Sequence, residues 1–452
     1  MDNELKMLLK GRKILFATVP ADGHINPLTG LAKFLKEDME CDVRWYTSAI
    51  YREKISRLGI SHYAFVTAKE ITAENVNEVL VDRERITDPI KKLNYDMIHI
   101  FGERGPEYYQ DLENIHKTFP FELMIADNLF TGIPFVKNLM HIPVVAIGII
   151  PLIEKSVDVA PYGSALYPPK TDEEFASNLK MYDSFSEMMH ESCKVFRAIL
   201  NTYGLQTSEG SIADILLREA DAYLQIGVPS FEYPRKEMGK NIEFIGALMP
   251  HVKKGSQATW TDERLHTYKK IVLVTQGTVE RDINKILVPT LEAFAGTDTL
   301  VVATTGGNGT EALRKRFNAP NVIIEDYIPF QDIMPYASAF VTNGGYSGTL
   351  LGIKHRLPLV AAGVHEGKNE VCARIGYFEY GINLQTETPS AEAIRNAVNE
   401  VIENGKYRNN VARLLDEMDL YPSQALCAKA IARLLYRSPA AASKVPGLFS
   451  AV

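Results

Sequence analysis

The chain has 452 residues, of which 46% are hydrophobic and 23% are charged, and its net charge is -7. This length predicts about two domains, and the negative charge, with no block of lysine and arginine, argues against a nucleic-acid partner. The longest apolar stretch, residues 142–153, is too short to span a bilayer. Four cysteines without metal or redox spacing, and an N-terminus without a signal-peptide core, predict a cytoplasmic protein with reduced thiols.

Short apolar strands alternate with helical segments through the first 150 residues. The strands are predicted in residues 13–19, 41–48, 121–130 and 141–150, and the helices in residues 28–35, 49–58 and 132–140. This alternation predicts a parallel sheet that is covered by helices on both faces.

Residues 155–220 are rich in helix formers and contain methionines and aromatic residues near helical spacing. Met181, Phe185 and Met189 are the candidates for a ligand pocket, because flexible methionine side chains adapt to varied apolar ligands. The same pattern is typical of a helical cover over the sheet, and the two interpretations are compatible.

A second alternating series follows a polar stretch that contains two prolines, residues 228–241. Its strands are predicted in residues 241–248, 270–277, 299–306, 321–328, 339–345 and 357–364. The chain is therefore predicted as two doubly wound α/β domains, residues 1–235 and 236–437, followed by a flexible tail at 438–452. The last helix, in residues 423–436, is expected to pack back across the domains. Ligands bind beyond the carboxyl ends of the strands in such sheets, so the site is expected in the cleft between the domains.

Two side chains after strands of the first series could carry acid–base chemistry. His24 lies in the turn Pro20–Pro27, directly after the first strand, and an imidazole takes up a proton near neutral pH. Asp127 ends the strand Leu123–Asp127, and a carboxylate beside an imidazole fixes its tautomer. Asp127 could instead cap the next helix, and Asp22 could replace it as the partner of His24.

Three polar, glycine-bearing loops follow strands of the second series. The segment Val341–Thr349 opens a helix, whose free N–H groups attract anions, and a diphosphate is its natural ligand. Gln276, Gly277 and Thr278 form the second loop, and the third begins at Thr305. The sequence has no G-x-G-x-x-G after the first strand, which argues against a dinucleotide oxidoreductase. It also has no Asp-x-Asp pair, so we expect no metal site and a diphosphate bound by backbone amides.

Together these motifs resemble glycosyltransferase family 1, the UDP-sugar-dependent enzymes with the GT-B fold, over nearly the whole chain. The resemblance implies two Rossmann-like domains whose parallel sheets face each other across a cleft. It matches Pro20–Pro27 to the loop of the catalytic base, Val341–Thr349 to the phosphate loop and residues 358–374 to the sugar-contacting stretch. Tyr327 stands where an aromatic residue stacks on uracil in many relatives.

The resemblance implies His24 and Asp127 as catalytic residues and assigns a larger set to the donor. The implied donor-binding residues are Gln276, Gly277, Thr278, Thr305, Tyr327, Ile328, Asn343, Gly344, Gly345, Tyr346, Ser347, Gly348, Glu366, Lys368 and Asn369. The chain departs from the family pattern in this set and nearby, with Asn343 for a histidine, Leu351 for a ribose-binding glutamate and residues 366–369 for an Asp/Glu-Gln pair. These departures indicate a bacterial sub-branch with a modified donor site.

The implied activity is inverting transfer of a sugar, expected to be glucose, from a UDP- or dTDP-sugar to a hydroxyl of a small apolar acceptor such as a flavonoid or another polyketide. No cofactor or metal is implied, and the chain is expected as a monomer or homodimer. Two alternatives remain on the same fold. One is a nucleotide-sugar epimerase, and the other is a non-catalytic nucleotide-sugar-binding module, against which the pairing of His24 with Asp127 argues.

Overall fold

The computed structural model describes residues 3–207, 209–251, 260–277, 280–365 and 367–436. The strands are β1 Lys13–Ala17, β2 Asp42–Tyr46, β3 Ser61–Tyr63, β4 Leu123–Asp127, β5 Val144–Gly148, β6 Ala222–Gln225, β7 Ile242–Phe244, β8 Lys270–Thr275, β9 Thr299–Thr304, β10 Val322–Glu325, β11 Ala339–Thr342, β12 Leu359–Ala361 and β13 Gly381–Asn383. The predicted tail, 438–452, lies outside the described residues.

Helices alternate with these strands. They are α1 Asn3–Leu9, α2 Asp22–Glu37, α3 Arg52–Arg57, α4 Val76–Val79, α5 Pro89–Asp96, α6 Arg104–Thr118, α7 Ile133–Leu139, α8 Asp172–Met188, α9 His190–Thr202, α10 Ile212–Glu219, α11 Leu287–Phe294, α12 Thr310–Arg316, α13 Phe330–Ile333, α14 Tyr346–Lys354, α15 Lys368–Tyr377, α16 Ala391–Glu403, α17 Gly405–Met418 and α18 Ser423–Leu435. A π-helical turn, Met97–Gly102, joins α5 to α6.

In the described part of the chain the strands form two sheets that are parallel throughout. The first has the order β3-β2-β1-β4-β5-β6-β7 and the second the order β10-β9-β8-β11-β12-β13. The central strands β1, β4, β5 and β8 are rich in Val, Ile and Leu and are buried on both faces, as expected where helices cover both sides of a parallel sheet. The two doubly wound α/β units of the prediction are confirmed.

Each sheet reverses its strand order at one point. In the first sheet the chain runs outward from β1 to β2 and then returns to place β4 on the other side of β1. In the second sheet β8 lies between β9 and β11 in the same way. A crevice opens at such a reversal because neighbouring connections lead to opposite faces of the sheet. Residues that follow β1, β4, β8 and β11 therefore meet at the two crevices.

Two predicted boundaries differ from the structure. The helix expected from Leu28 begins at Asp22, so His24 lies in the first turn of α2 rather than in a free loop. The strand predicted in residues 241–248 is wrong as a member of the second sheet, because β7 pairs with β6 through Tyr223 and Ile242. The first sheet therefore extends beyond the predicted boundary at residue 235. Neither β6 nor the three-residue strands β3 and β13 follows from periodicity, because runs this short carry too little pattern.

The C-terminal helix α18 lies against the first domain. It packs on α1 and α2, and Gln424 donates from its side-chain amide to the carbonyl of Gly30 (3.2 Å). Arg433 pairs with Glu243 near β7, and the hydroxyl of Tyr436 donates to the carbonyl of Leu8. The second domain is thus connected to the first by the linker that precedes it and by the contacts of α18 that follow it.

Candidate active site

His24 and Asp127 meet at the crevice of the first sheet. His24 Nδ1 lies 2.8 Å from Asp127 Oδ1, and the carboxylate is fully buried whereas the imidazole is 18% exposed. Asp127 ends β4, and the helix that carries His24 starts five residues after the end of β1, the strand beside β4. The reversal of strand order therefore brings together two residues that are 103 positions apart.

The hydrogen bonds of Asp127 define which nitrogen of His24 is free. Oδ2 accepts from the amide of Val19 (2.8 Å), and Oδ1 accepts from the amide of Leu129 (2.9 Å) as well as facing His24. A carboxylate that already accepts two N–H groups is held as an acceptor, so Nδ1 of His24 carries the proton of their shared hydrogen bond. No described residue is hydrogen bonded to Nε2, so in this tautomer Nε2 keeps a lone pair that can accept a proton.

Asp22 has a different partner from the one considered in the sequence. Its carboxylate pairs with Lys54, which also donates to Asn26 Oδ1 at 2.8 Å. Asp127 therefore holds His24, and its bond from the amide of Leu129 shows that it shapes the following turn at the same time.

The loops after β8 and β11 are joined across the crevice of the second sheet. Asn343 donates from Nδ2 to the carbonyl of Gln276 (2.5 Å) and accepts at Oδ1 from the amide of Gly345 (3.3 Å). Gly344 has a φ of +82°, and a Cβ there would lie 2.4 Å from the Sγ of Cys372. The close approach thus requires glycine, and the Asn343 amide serves first to fix the two loops.

The N-terminus of α14 is the candidate anion-binding element of this crevice. Thr349 donates its amide to the carbonyl of Gly345 (2.9 Å), so the turn between them leaves the amides of Tyr346, Ser347 and Gly348 without helical acceptors. The Ser347 hydroxyl is half-buried and has no hydrogen bond within the described residues. These groups fit a phosphate, which takes N–H and O–H donors at a helix N-terminus.

Two of the predicted donor-binding residues have hydroxyl groups that are already hydrogen bonded within the protein. The Thr305 hydroxyl lies 2.5 Å from that of Thr310 and accepts from the amide of Gly307 (3.1 Å), so it is already engaged. The Tyr346 side chain is buried against the first domain, where its hydroxyl donates to the carbonyl of Ile226 (2.8 Å). Its backbone amide remains the part that could reach a ligand.

Tyr327 stands at the outer edge of the second crevice. Its side chain is 66% exposed, and its hydroxyl donates to the carbonyl of Gly306 (2.8 Å). This bond holds the ring beside the loop after β9, where a base could stack on it, whereas Ile328 is buried in the core beneath. The Gln276 side chain is buried, and its amide donates to the carbonyls of Glu280 and Asp282.

The loop before α15 is braced by a carboxylate on a distant segment. Glu387 accepts from the amides of Val364 (2.7 Å) and His365 (3.0 Å) and pairs with Lys285 at 2.8 Å. Burial opposes its ionisation, but Lys285 and the two amides prevail and lower the pKa of Glu387 to about 2. Lys368 begins α15 directly after this loop. Thr278 and Glu366 lie outside the described residues.

The three residues predicted for an acceptor pocket lie on the helical cover. Met181 and Phe185 are half-buried on α8, and Met189 is buried in the turn to α9, on which α8 packs. A nearer candidate for an acceptor wall is the π-helical turn, since Thr131, four residues after Asp127, donates to the carbonyl of Phe101 (2.8 Å). An acceptor role for Met181, Phe185 and Met189 stays a prediction.

A buried ion cluster, which the sequence analysis does not predict, joins the two domains. Arg374 on α15 donates to Glu232 from Nε (2.9 Å) and Nη2 (2.7 Å), and it donates to Glu370 from Nη1 (2.9 Å). Burial disfavours the charge of the guanidinium, but Glu232 and Glu370 together raise its pKa above the ordinary value. Glu370 and Arg374 are four residues apart on a helix, a spacing that signals an ion pair.

A cavity of about 620 Å³ lies elsewhere, between the interdomain linker and α17. Its wall includes Tyr233, Phe244 and Tyr380, and none of the predicted site residues lines it. The pairing of His24 with Asp127, and of the α14 N-terminus with the loop after β8, locates the candidate active site instead.

The class of protein is indicated by two features: a His–Asp pair after strands of one doubly wound domain, and a glycine-bearing loop that opens a helix in the other. The family model described as "UDP-glucoronosyl and UDP-glucosyl transferase" matches residues 119–419. The chain is 32% identical to 4'-demethylrebeccamycin synthase of Lentzea aerocolonigenes over 90% of this chain and 96% of that one. It is 31% identical to UDP-glucosyltransferase 1 of Beauveria bassiana, with 89% and 91% covered.

Among solved structures, the glycotransferase of kitacinnamycin is similar with a TM-score of 0.73 at 16% identity, over 94% of this chain and 99% of that one. The chain belongs to the UDP-glycosyltransferase family, and its fold is the GT-B fold. It is a glycosyltransferase that uses a nucleotide sugar, as the resemblance implied. Fungal and bacterial proteins both occur among its relatives, so the family does not establish a bacterial sub-branch. In the part of the chain that is described, no helix has the length and hydropathy of a membrane span.

Proposed function

We propose that this enzyme transfers glucose from UDP-glucose to a hydroxyl of a small, largely apolar acceptor, with inversion at the anomeric carbon and without a metal ion. The observation that carries the proposal is the 2.8 Å contact between His24 Nδ1 and Asp127 Oδ1, with Nε2 left unpartnered by the described residues. This arrangement supplies a general base held in one tautomer beside the cleft.

The reaction is a single displacement. The acceptor hydroxyl gives its proton to Nε2 of His24 while its oxygen bonds to the anomeric carbon. The bond from that carbon to the diphosphate oxygen breaks at the same time, and its electron pair leaves with UDP. Attack and departure occur on opposite faces, so an α-linked donor gives a β-glycoside. Asp127 stabilises the imidazolium that forms on His24 because its carboxylate is buried and lies against Nδ1.

The departing diphosphate gains negative charge, which the α14 N-terminus can balance. The amides of Tyr346, Ser347 and Gly348 and the Ser347 hydroxyl are directed donors on a rigid turn, so they need little reorganisation during the reaction. Neutral donors of this kind make transfer without a metal chemically reasonable.

The choice of donor and acceptor rests on the relatives and on the acceptor side of the cleft. Proteins that are similar to this chain are named as UDP-glucosyltransferases, which supports UDP and glucose. Near Asp127, the half-buried side chain of Phe101 belongs to the π-helical turn Met97–Gly102, whose backbone accepts a hydrogen bond from Thr131. π-Helical turns occur frequently at functional sites, and an apolar wall here favours an apolar acceptor.

The test is product formation by the purified enzyme with UDP-glucose, a mixed library of phenolic and polyketide acceptors, and EDTA. We expect UDP release that depends on the acceptor, and a product whose NMR coupling shows a β-linkage. Release that requires an added divalent ion would contradict the metal-free reaction, and an α-linkage would contradict the single displacement. Conversion of the donor without any acceptor would indicate an epimerase, and binding without turnover a binding module.

A further inference from the structure

A segment of the first domain crosses to the second domain and is fixed there. We call residues 161–167, which follow β5, the strap. The amides of Gly163 (2.7 Å) and Ala165 (2.8 Å) both donate to Oε1 of Glu370, and the side-chain amide of Asn369 donates to the carbonyl of Gly163 (2.6 Å). Tyr167 at the end of the strap packs edge-on against Tyr377 of α15. The strap is thus attached along one helix of the donor domain.

Glu370 is placed to hold this segment rather than to contact a ligand. Glu370 is only 4% exposed. One of its carboxylate oxygens accepts hydrogen bonds from the two strap amides, and the other accepts one from Arg374. A buried carboxylate is costly unless its oxygens are satisfied, so each of these bonds depends on the others. Arg374 continues the cluster to Glu232, whose other oxygen accepts from the amide of Leu152 (2.9 Å), also in the first domain.

The strap meets the beginning of α15, which lies within residues 358–374, the stretch that the resemblance matches to sugar contacts. A Cβ on Gly367 would lie 2.6 Å from the hydroxyl oxygen of Tyr162, and Gly367 has a φ of +76° as the residue that caps α15. The Tyr162 side chain is half-buried, and its hydroxyl makes no hydrogen bond to a described residue. A phenol fixed at this point, with its donor and acceptor capacity unused, can reach a sugar hydroxyl.

We propose that Tyr162 is a specificity-determining residue that contacts the donor sugar from the acceptor domain, and that Glu370 is the positioning residue that holds it there. This proposal rests on the proposed function, because a sugar must occupy the cleft beside Gly367. The strap follows β5 in the first domain. It therefore connects the domain that is expected to bind the acceptor directly to α15 of the donor domain.

The first experiment compares the affinity for UDP with that for UDP-glucose in wild type, Tyr162→Phe and Glu370→Ala. Both variants are expected to bind UDP as wild type does and to bind UDP-glucose about five- to tenfold more weakly, as expected for one lost hydrogen bond. The double variant is expected to lose no more than either single variant, because Glu370 acts through Tyr162. A merely structural role for Glu370 would instead lower both affinities or give additive losses.

Tyr380→Phe is the matched control, since it removes a different interdomain hydrogen bond, from the Tyr380 hydroxyl to the carbonyl of Ser230 (2.6 Å). It is expected to leave the ratio of the two affinities unchanged. Hydrogen exchange at the amides of Gly163 and Ala165 is expected to rise at least tenfold in Glu370→Ala and to stay at the wild-type rate in Tyr380→Phe.

The outcomes separate this proposal from the proposed function. If wild type transfers glucose but Tyr162→Phe keeps the wild-type ratio of affinities, the strap proposal is overturned and the transferase stands. If Glu370→Ala leaves exchange at the two strap amides unchanged, its positioning role is overturned. If wild type binds no UDP- or dTDP-sugar, the proposed function fails, and the sugar contact of Tyr162 fails with it.

Discussion

At the scale of single residues, the site depends on side chains whose polar atoms are mostly committed before a substrate binds. Asp127 accepts three contacts, from Val19, Leu129 and His24, and is fully buried. His24 is left with one open nitrogen on a ring that cannot turn freely. Preorganisation of this kind lowers the reorganisation that the reaction requires.

Asp127→Asn tests the role of this carboxylate. An asparagine in its place can direct an N–H toward Nδ1, which would reverse the tautomer and leave Nε2 protonated. We expect kcat to fall by about 10² to 10⁴ while UDP affinity changes little. The melting temperature is expected to fall as well, because the new NH₂ group would face the buried amide of Leu129. The matched control is Asp22→Asn, on a carboxylate two residues from His24 that pairs with Lys54. Equal losses in the two variants would mean that Asp127 has no special relation to His24.

The ionised carboxylate of Glu387 makes the stability of the folded protein depend on pH. Its folded pKa of about 2 lies below the ordinary value of 4.5, so its contribution is fully present above about pH 4.5 and is lost as the pH falls toward 2. Urea unfolding should show Glu387→Gln less stable than wild type by about 1 to 3 kcal/mol at pH 7.

The same difference should shrink progressively at pH 4 and pH 3. Glu311→Gln, on a carboxylate that is 75% exposed, serves as the control and should differ little from wild type at each pH. A constant difference between wild type and Glu387→Gln across this range would show that the charge of Glu387 is not the cause.

At the scale of elements, the loops after β8 and β11 function as one unit. Asn343 joins them through Gln276, and Gly344 passes so close to α15 that its Cβ position is filled by Cys372. The amides at the start of α14 are therefore fixed relative to α15, the helix that carries Cys372. The diphosphate and the sugar belong to one donor molecule. A shift of α14 relative to α15 would therefore weaken the binding of both parts.

Gly344→Ala should disrupt that unit. The added methyl group would meet the Sγ of Cys372 at 2.4 Å on a backbone with a φ of +82°, so the loop must move. We expect UDP affinity to fall at least tenfold, measured by calorimetry. Gly405→Ala, which adds a methyl group in open space on α17, should bind UDP as wild type does. Wild-type affinity in Gly344→Ala would contradict the close approach.

The sequence predicts the two sheets, and it places His24, Asp127 and the three donor loops after their strands, because apolar runs and the turns that end them are local signals. It does not predict that Asn343 joins two loops or that Tyr346 turns toward Ile226, since these depend on contacts between distant segments. Strand β7 shows the same limit. A run of three residues does not indicate which sheet will take it.

At the scale of the whole molecule, the two domains share a buried ionic core as well as the linker. Arg374 is enclosed by Glu232 and Glu370, and its guanidinium lies 4.4 Å from the centre of the Tyr233 ring. The C-terminal helix α18 closes a second contact on α1 and α2. The crevices of the two sheets are thus held in a defined relation across the cleft.

Arg374→Met tests how much the charge of the guanidinium contributes to holding the two domains together. Removing the guanidinium leaves two carboxylates buried without their partner, which should cost about 3 to 5 kcal/mol in the free energy of unfolding. The triple variant Glu232→Gln, Glu370→Gln and Arg374→Met should recover most of this loss, because no unpaired charge remains. If Arg374→Met is within 1 kcal/mol of wild type, as judged by denaturant unfolding, the cluster does not hold the domains together.

The most direct test of the central claim is glucosyl transfer by His24→Ala, measured in a single turnover with saturating UDP-glucose and one accepted acceptor. UDP-glucose affinity and circular dichroism are recorded on the same preparation. The account predicts product formation slower than wild type by about 10² to 10⁴, with donor affinity and fold unchanged. A His24→Ala enzyme that forms product at the wild-type rate would contradict the assignment of His24 as the base.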